Sequence, residues 1–185
     1  MERLINIDSI SDIPEKYQGT PVGLLLEYHN LGRSYEKYQK AALMVAMCMD
    51  NRKQLRMPDN FSFIIRTAGA NLRYSEFMVS FAIAIGDVKA IAIIGHTQCG
   101  MVNVISRENE FVKGLVLNAG WDKELADQHF NQFAPVFEIG NEMDFVLSEV
   151  KRLRLRYPKV LIAPMLYRLE DNRLYLIKEN TPFTK

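Results

Sequence analysis

The chain has 185 residues, enough for one domain at roughly 150 residues each. Lys and Arg total 23 against 22 Asp and Glu, so there is no strong global field for nucleic acid or an anionic membrane. Hydrophobic residues make up 48%, the balance of a globular chain, and a count of two cysteines excludes a disulfide scaffold.

Residues 1–40 read as an N-terminal arm with one helix. The first twenty are polar, carry acids early and lack a long apolar run, unlike a secretory signal. A cytoplasmic, reducing location is the expectation. Residues 21–31 (PVGLLLEYHNL) predict a short helix ending near Gly32. Residues 41–47 (AALMVAM) are apolar on both faces and predict a buried parallel strand. Residues 61–66 (FSFIIR) read as a second such strand, ending at the Ala68-Gly69 turn. Residues 75–85 predict a helix, with Ser75 as N-cap and Gly86 as stop. Residues 90–94 (AIAII) are a third buried strand, and the chain from Thr97 onward opens a helix. Residues 107–140 read as one or two helices with loops, Trp121 being an edge anchor and His129 a surface residue. Residues 143–157 form an amphipathic pattern that Pro158 ends. Residues 160–166 and 174–177 read as strands around the turn Glu170-Asp171-Asn172. No apolar run approaches the roughly 20 residues that span a bilayer. The alternation predicts an α/β fold: a central, mostly parallel β-sheet flanked by helices, with residues 41–185 as the single domain after the arm.

Both cysteines fall at the carboxyl end of a predicted strand, where α/β sheets place ligand sites. The segments are Cys48-Met49-Asp50-Asn51-Arg52 and His96-Thr97-Gln98-Cys99-Gly100. A lone cysteine after a strand is usually an inert small hydrophobe. Two thiolates and an imidazole together suit zinc, and three protein ligands leave the open fourth position of a catalytic site. The i, i+3 spacing sets His96 and Cys99 on one side of a helical turn. Cys48 must then come from a neighbouring strand. In an extended segment Cys48, Asp50 and Arg52 point the same way. Arg52 can hold Asp50 by two parallel hydrogen bonds. Asp50 then either orients a zinc-bound hydroxide or takes the fourth zinc position and shuts the site.

With these residues the chain resembles the β-class carbonic anhydrases over about residues 41–105. Their pattern is C-x-D-x-R, a strand ending R-N-A-G-N, a helix, and a strand ending G-H-x-x-C-G. Here it reads Cys48/Asp50/Arg52, then Arg66-Thr67-Ala68-Gly69-Ala70-Asn71, then Gly95-His96-Thr97-Gln98-Cys99-Gly100. The resemblance implies zinc held by Cys48, His96 and Cys99, a catalytic Asp50–Arg52 dyad, and reversible hydration of CO2 to bicarbonate and a proton. It implies a homodimer or higher homo-oligomer with sites near the interface; the charge balance and short apolar runs lead one to expect neither nucleic acid nor membrane as partner. In that mechanism Asp50 accepts the hydroxide proton, Arg52 holds Asp50 off the metal, and the Gly100 N–H binds a substrate oxygen. Two thiolates weaken the acidification of the metal's water, so activity is expected to rise on the alkaline side. Two features depart from the family pattern: Ala70 precedes Asn71, and the segment Ala163–Tyr167 with its acidic turn replaces a glycine-bearing strand ending in Thr-Gly. Relatives that attack COS or CS2 carry the same zinc and dyad. A non-catalytic zinc protein would keep only the ligands, and the intact dyad argues against it. Tyr35 and Tyr38 are candidates to pack across a dimer interface.

Overall fold

The computed structural model describes residues 3–179. Its strands are β1 (Leu4–Ile5), β2 (Leu43–Cys48), β3 (Ser62–Thr67), β4 (Ala90–His96), β5 (Leu161–Arg168) and β6 (Arg173–Ile177). They form one six-stranded sheet in the order β1-β6-β5-β4-β2-β3. β3, β2, β4 and β5 run parallel; β6 is antiparallel to β5, and β1 to β6. The helices are α1 (Pro21–Asn30), α2 (Glu76–Ala84), α3 (Glu108–Ala119), α4 (Lys123–Phe137) and α5 (Glu142–Arg156).

β2 and β4 are buried at every position because both their faces are covered. Alternate residues serve opposite layers. Val45, Met47, Ala92 and Ile94 pack with Val22, Leu25 and Leu26 of α1. Met44, Ala46, Ile91 and Ile93 pack with Val79 and Ala82 of α2 and with Val146, Val150 and Leu153 of α5. The α5 residues recur at helical spacing, which is the amphipathic pattern read from the sequence. Asn141 caps α5 by accepting from the N–H groups of Met143 and Asp144. α3 and α4 pair as a hairpin with its own small core of Val112, Ala126, Phe130 and Ala134. Trp121 is partly buried at the turn of that hairpin, edge-on to His129, which also meets Phe111 and Phe133.

Three segments differ from the sequence reading. Residues 61–66 do not form a doubly buried strand. Among the described residues β3 is the sheet's outermost strand and pairs only with β2, so Phe63 and Ile64 remain 40% and 46% exposed. No helix opens at Thr97: Gln98 and Asn103 take left-handed φ of 58° and 56°, and the α-helix begins only at Glu108. Residues 1–40 contribute a sheet strand, β1, and a helix, α1, most of which is buried on the sheet. Tyr38 meets Phe61 while its hydroxyl is 2.9 Å from that of Tyr28, and Tyr35 lies edge-on to Tyr28 but stays 59% exposed. Pro164 lies inside β5, but the antiparallel ladder to β6 begins at Met165, so the missing N–H falls outside that ladder. Among the described residues no helix is long and apolar enough to cross a membrane.

Candidate metal centre

β2 and β4 are parallel neighbours in the sheet, with Met47 beside Ile94. Cys48 and His96 are therefore delivered side by side at their carboxyl ends. The left-handed turn at Gln98 brings Cys99 back towards both. The ligand atoms of Cys48, His96 and Cys99 lie within 4.8 Å of one another, and all three residues are buried. The two sulfurs are 4.0 Å apart. Tetrahedral zinc ligands stand about 3.5–3.8 Å from each other, so a small contraction would close this set on an ion.

His96 Nδ1 donates to the carbonyl oxygen of Thr97 at 2.9 Å, which makes Nε2 the lone-pair nitrogen. That nitrogen is buried with no hydrogen-bond partner among the described residues. An unpaired buried acceptor beside two thiols is a set of lone pairs suited to a metal ion. The thiols carry the same signature. Cys99 donates towards Cys48, which lowers the pKa of Cys48 against the effect of burial and raises that of Cys99. A bound cation would instead take both as thiolates. The donor set thus fits zinc.

The dyad forms by a turn, not by extended alternation, because β2 ends at Cys48. Asp50 Oδ1 accepts the Arg52 backbone N–H at 2.9 Å, an Asx turn. Arg52 Nε donates to both carboxylate oxygens at 3.1 Å, and Nη2 donates to Oδ2 at 2.6 Å. The same Nη2 donates to the Gln98 carbonyl at 3.1 Å, so one guanidinium ties the two ligand loops together. Asp50 Oδ2 lies 4.0 Å from His96 Nε2. The Arg52 guanidinium holds the Asp50 carboxyl well below the usual carboxylate range. Of the two roles open to Asp50, this geometry has the carboxylate engaged by Arg52 beside the ligands.

Gly100 is exposed, and a Cβ there would meet only Arg107 Nη1, at 4.0 Å. Neither packing nor a left-handed φ requires glycine, and the missing side chain leaves that peptide open to a small ligand. Ile139, Met101, Val102 and Phe145 pack against the cysteines as an apolar wall. Ala70 takes a φ of 63°. Asn71 is buried, with its amide donating to Val136 O at 2.8 Å and accepting from Arg73 N at 3.0 Å, so it braces the turn against α4.

Several residues support the ligand loops through contacts that the sequence alone does not pair. Thr97 Oγ1 and Gln98 Nε2 donate to Glu170 at 2.9 and 3.2 Å, so the acidic turn after β5 clasps the histidine loop. Glu142 accepts the Cys99 N–H at 3.3 Å. Arg66 Nη1 donates to the carbonyls of Cys48 and Asp50 at 3.3 Å each. His29 lies elsewhere, bonded to Asn172 O and to the Arg56 N–H.

Parallel strands that bring two cysteines and a histidine together at adjacent ends define an α/β protein with a cluster that could hold a metal ion. The carbonic anhydrase family model matches residues 43–154, and the chain belongs to the β-carbonic anhydrase family. A carbonic anhydrase from Glaciozyma antarctica is 20% identical, with 74% of this chain and 83% of that chain covered and a TM-score of 0.60. One from Streptococcus mutans is 18% identical, covering 80% and 89%, with a TM-score of 0.60. A carbon disulfide hydrolase in its apo form is 20% identical, covering 79% and 88%, with a TM-score of 0.55. At these identities the likeness is one of fold. No curated protein matches the chain significantly.

Proposed function

We propose that the chain is a zinc-dependent carbonic anhydrase that hydrates CO2 reversibly to bicarbonate and a proton. In this reading Cys48, His96 and Cys99 hold the ion, Asp50 and Arg52 are the catalytic pair, and Gly100 binds substrate. One observation carries it: an ionised carboxylate, held on both oxygens by arginine, 4.0 Å from the unpaired nitrogen of His96. A structural metal needs no such group. Zinc bound by this set supplies a water acidic enough to react near neutral pH.

Asp50, an acceptor only, takes a hydrogen bond from the attacking oxygen and aims that oxygen's remaining lone pair at carbon. Arg52 occupies both carboxylate oxygens and so keeps Asp50 from turning onto the ligands. The Gly100 N–H donates to the substrate oxygen on which charge develops. Ile139, Met101, Val102 and Phe145 provide an apolar wall suited to an uncharged substrate.

COS and CS2 hydrolysis would use the same groups, and one protein of similar fold is a carbon disulfide hydrolase. Stopped-flow assays of the zinc-loaded protein with CO2, COS and CS2 in parallel separate these activities. Hydration of CO2 as the fastest of the three is the expected result; turnover of CS2 alone refutes the assignment. Cys48→Ser and Cys99→Ser are each expected to lose most bound zinc and nearly all activity. Full zinc occupancy in both would refute the ligand set.

The same proposal includes a homodimer across β3 and α2. Phe77 and Ile85 are 81% and 72% exposed, and Phe63, Met78 and Phe81 lie open with them. All of them but Ile85 line an apolar cleft of about 260 Å³ formed by Phe63, Ile64, Ile65, Phe77, Met78, Phe81 and Ala82. The patch is uncharged and continuous with the unpaired edge of β3, so a second copy can meet it isologously without charge repulsion. Thr67, at the end of that edge, pairs with Cys48, which sets such an interface beside the metal centre.

A further inference from the structure

Lys53 follows the dyad in sequence and is only 1% exposed. Lysine is among the residue types least often fully buried, and taking an ammonium out of water costs several kcal/mol. Its Nζ donates to a neutral acceptor, the carbonyl oxygen of Asp50 at 3.0 Å. Burial pushes the Lys53 ammonium pKa down, as does nearby Arg66, while the charges of Cys48, Asp50 and Cys99 push it up. Stability does not account for this residue. A methionine would fill the same space with no charge to desolvate.

The position of the acceptor does account for it. Asp50 O receives Lys53 Nζ from one donor and Arg66 Nη1, at 3.3 Å, from another. Arg66 also reaches the carbonyls of Cys48 and of Lys53, the latter at 3.4 Å. The carbonyls of Cys48, Asp50 and Lys53 are therefore drawn towards two cations, and the Asp50 carboxylate projects away from them onto Arg52. Without an ammonium at Asp50 O, only the longer bond from Arg66 holds the peptide after Asp50, and the carboxylate moves with that peptide.

We propose that Lys53 is a positioning residue: its buried ammonium pins the Asp50 peptide and thereby keeps the Asp50 carboxylate on Arg52 beside the ligands. Its effect on rate rests on the carbonic anhydrase reading; its effect on the dyad does not.

Lys53→Met keeps the length of the side chain, and Lys53→Gln keeps a neutral donor. In zinc-loaded Lys53→Met, kcat should fall about 10-fold, as for a catalytic group displaced by a fraction of an ångström. KM and bound zinc should stay unchanged, with Lys53→Gln intermediate. The second readout is water exchange of the Arg52 Nε–H, followed by NMR in the zinc-loaded proteins and expected to quicken about 10-fold in Lys53→Met as its bonds to Asp50 loosen. Wild-type exchange in both variants overturns the proposal, whatever happens to the rate. Joint loss of zinc and rate also overturns it, because Lys53 would then support the ligand loop as a whole. If Lys53→Met does not fold, Lys53→Gln decides by the same criteria. If the wild type holds zinc but does not hydrate CO2, the functional reading fails, and the Arg52 exchange still decides the role of Lys53.

Discussion

His29 sits 5% exposed on α1, with Nε2 donating to Asn172 O at 3.0 Å and Nδ1 accepting the Arg56 N–H at 3.0 Å. The bond from Arg56 requires the neutral ring, because Nδ1 must keep its lone pair to accept it. Burial, aided by Arg56 and Arg173 and opposed by the Asn172 bond, pushes its pKa down to about 4. In the unfolded chain the ring takes a proton near the ordinary value of about 6.5. Between those values the unfolded state binds more protons than the folded one, so stability rises with pH and falls as pH drops. The contribution of the neutral ring is intact above about pH 6.5 and is lost progressively down to about pH 4. With those two values, linkage gives a loss of about 2 kcal/mol between pH 7 and pH 5. His29→Gln offers one donor and one acceptor at similar reach but does not titrate. At pH 7 it should cost about 1 kcal/mol for imperfect hydrogen bonds. Denaturant unfolding of both proteins at several pH values, in the same metal state, reads the difference. The wild type should lose about 2 kcal/mol more than the variant between pH 7 and pH 5. Parallel pH profiles would show that His29 does not titrate as its burial requires.

Asp50→Ala should retain zinc by metal analysis yet lose at least about 100-fold in hydration rate, the scale of a lost general base; unaltered turnover removes Asp50 from the mechanism. Phe77→Glu combined with Phe81→Asp should convert a dimer to a folded monomer by light scattering, because the charges would be desolvated in the contact. An unchanged mass in solution places the interface elsewhere. Glu149 is 1% exposed in α5 and is held by Arg152 through two bonds of 3.0 Å. Arg152→Met should therefore destabilise by about 3 kcal/mol through an unpaired buried carboxylate, read by denaturant unfolding. A change below about 1 kcal/mol would mean that Arg73, 3.9 Å away, compensates.

The ligand candidates are legible in the sequence because both segments that carry them follow directly on an apolar run. Strand residues such as 43–47 and 90–95 announce themselves by composition, and the chemistry begins where the run stops. The α5 pattern was equally plain, since three core contacts recur on one helical face. Residues 61–66 were misjudged for a physical reason. An apolar run shows that a strand wants cover, not whether its own chain supplies it. The turn after His96 was misread because Gln98 and Asn103, unlike glycine, do not advertise a left-handed backbone.

Residue types and their spacing by themselves determined an α/β chain with a single candidate site of two cysteines and one histidine, and an acid and an arginine close by. The sheet order decided the rest. It made β2 and β4 neighbours, so that ligands distant in sequence converge. It made β3 an edge, leaving an apolar face open. It also brought Glu170, Glu142 and Arg66 onto the ligand loops. Hydrogen bonds between distant segments leave no periodic trace in a sequence, because any polar residue at the right place in space can make them.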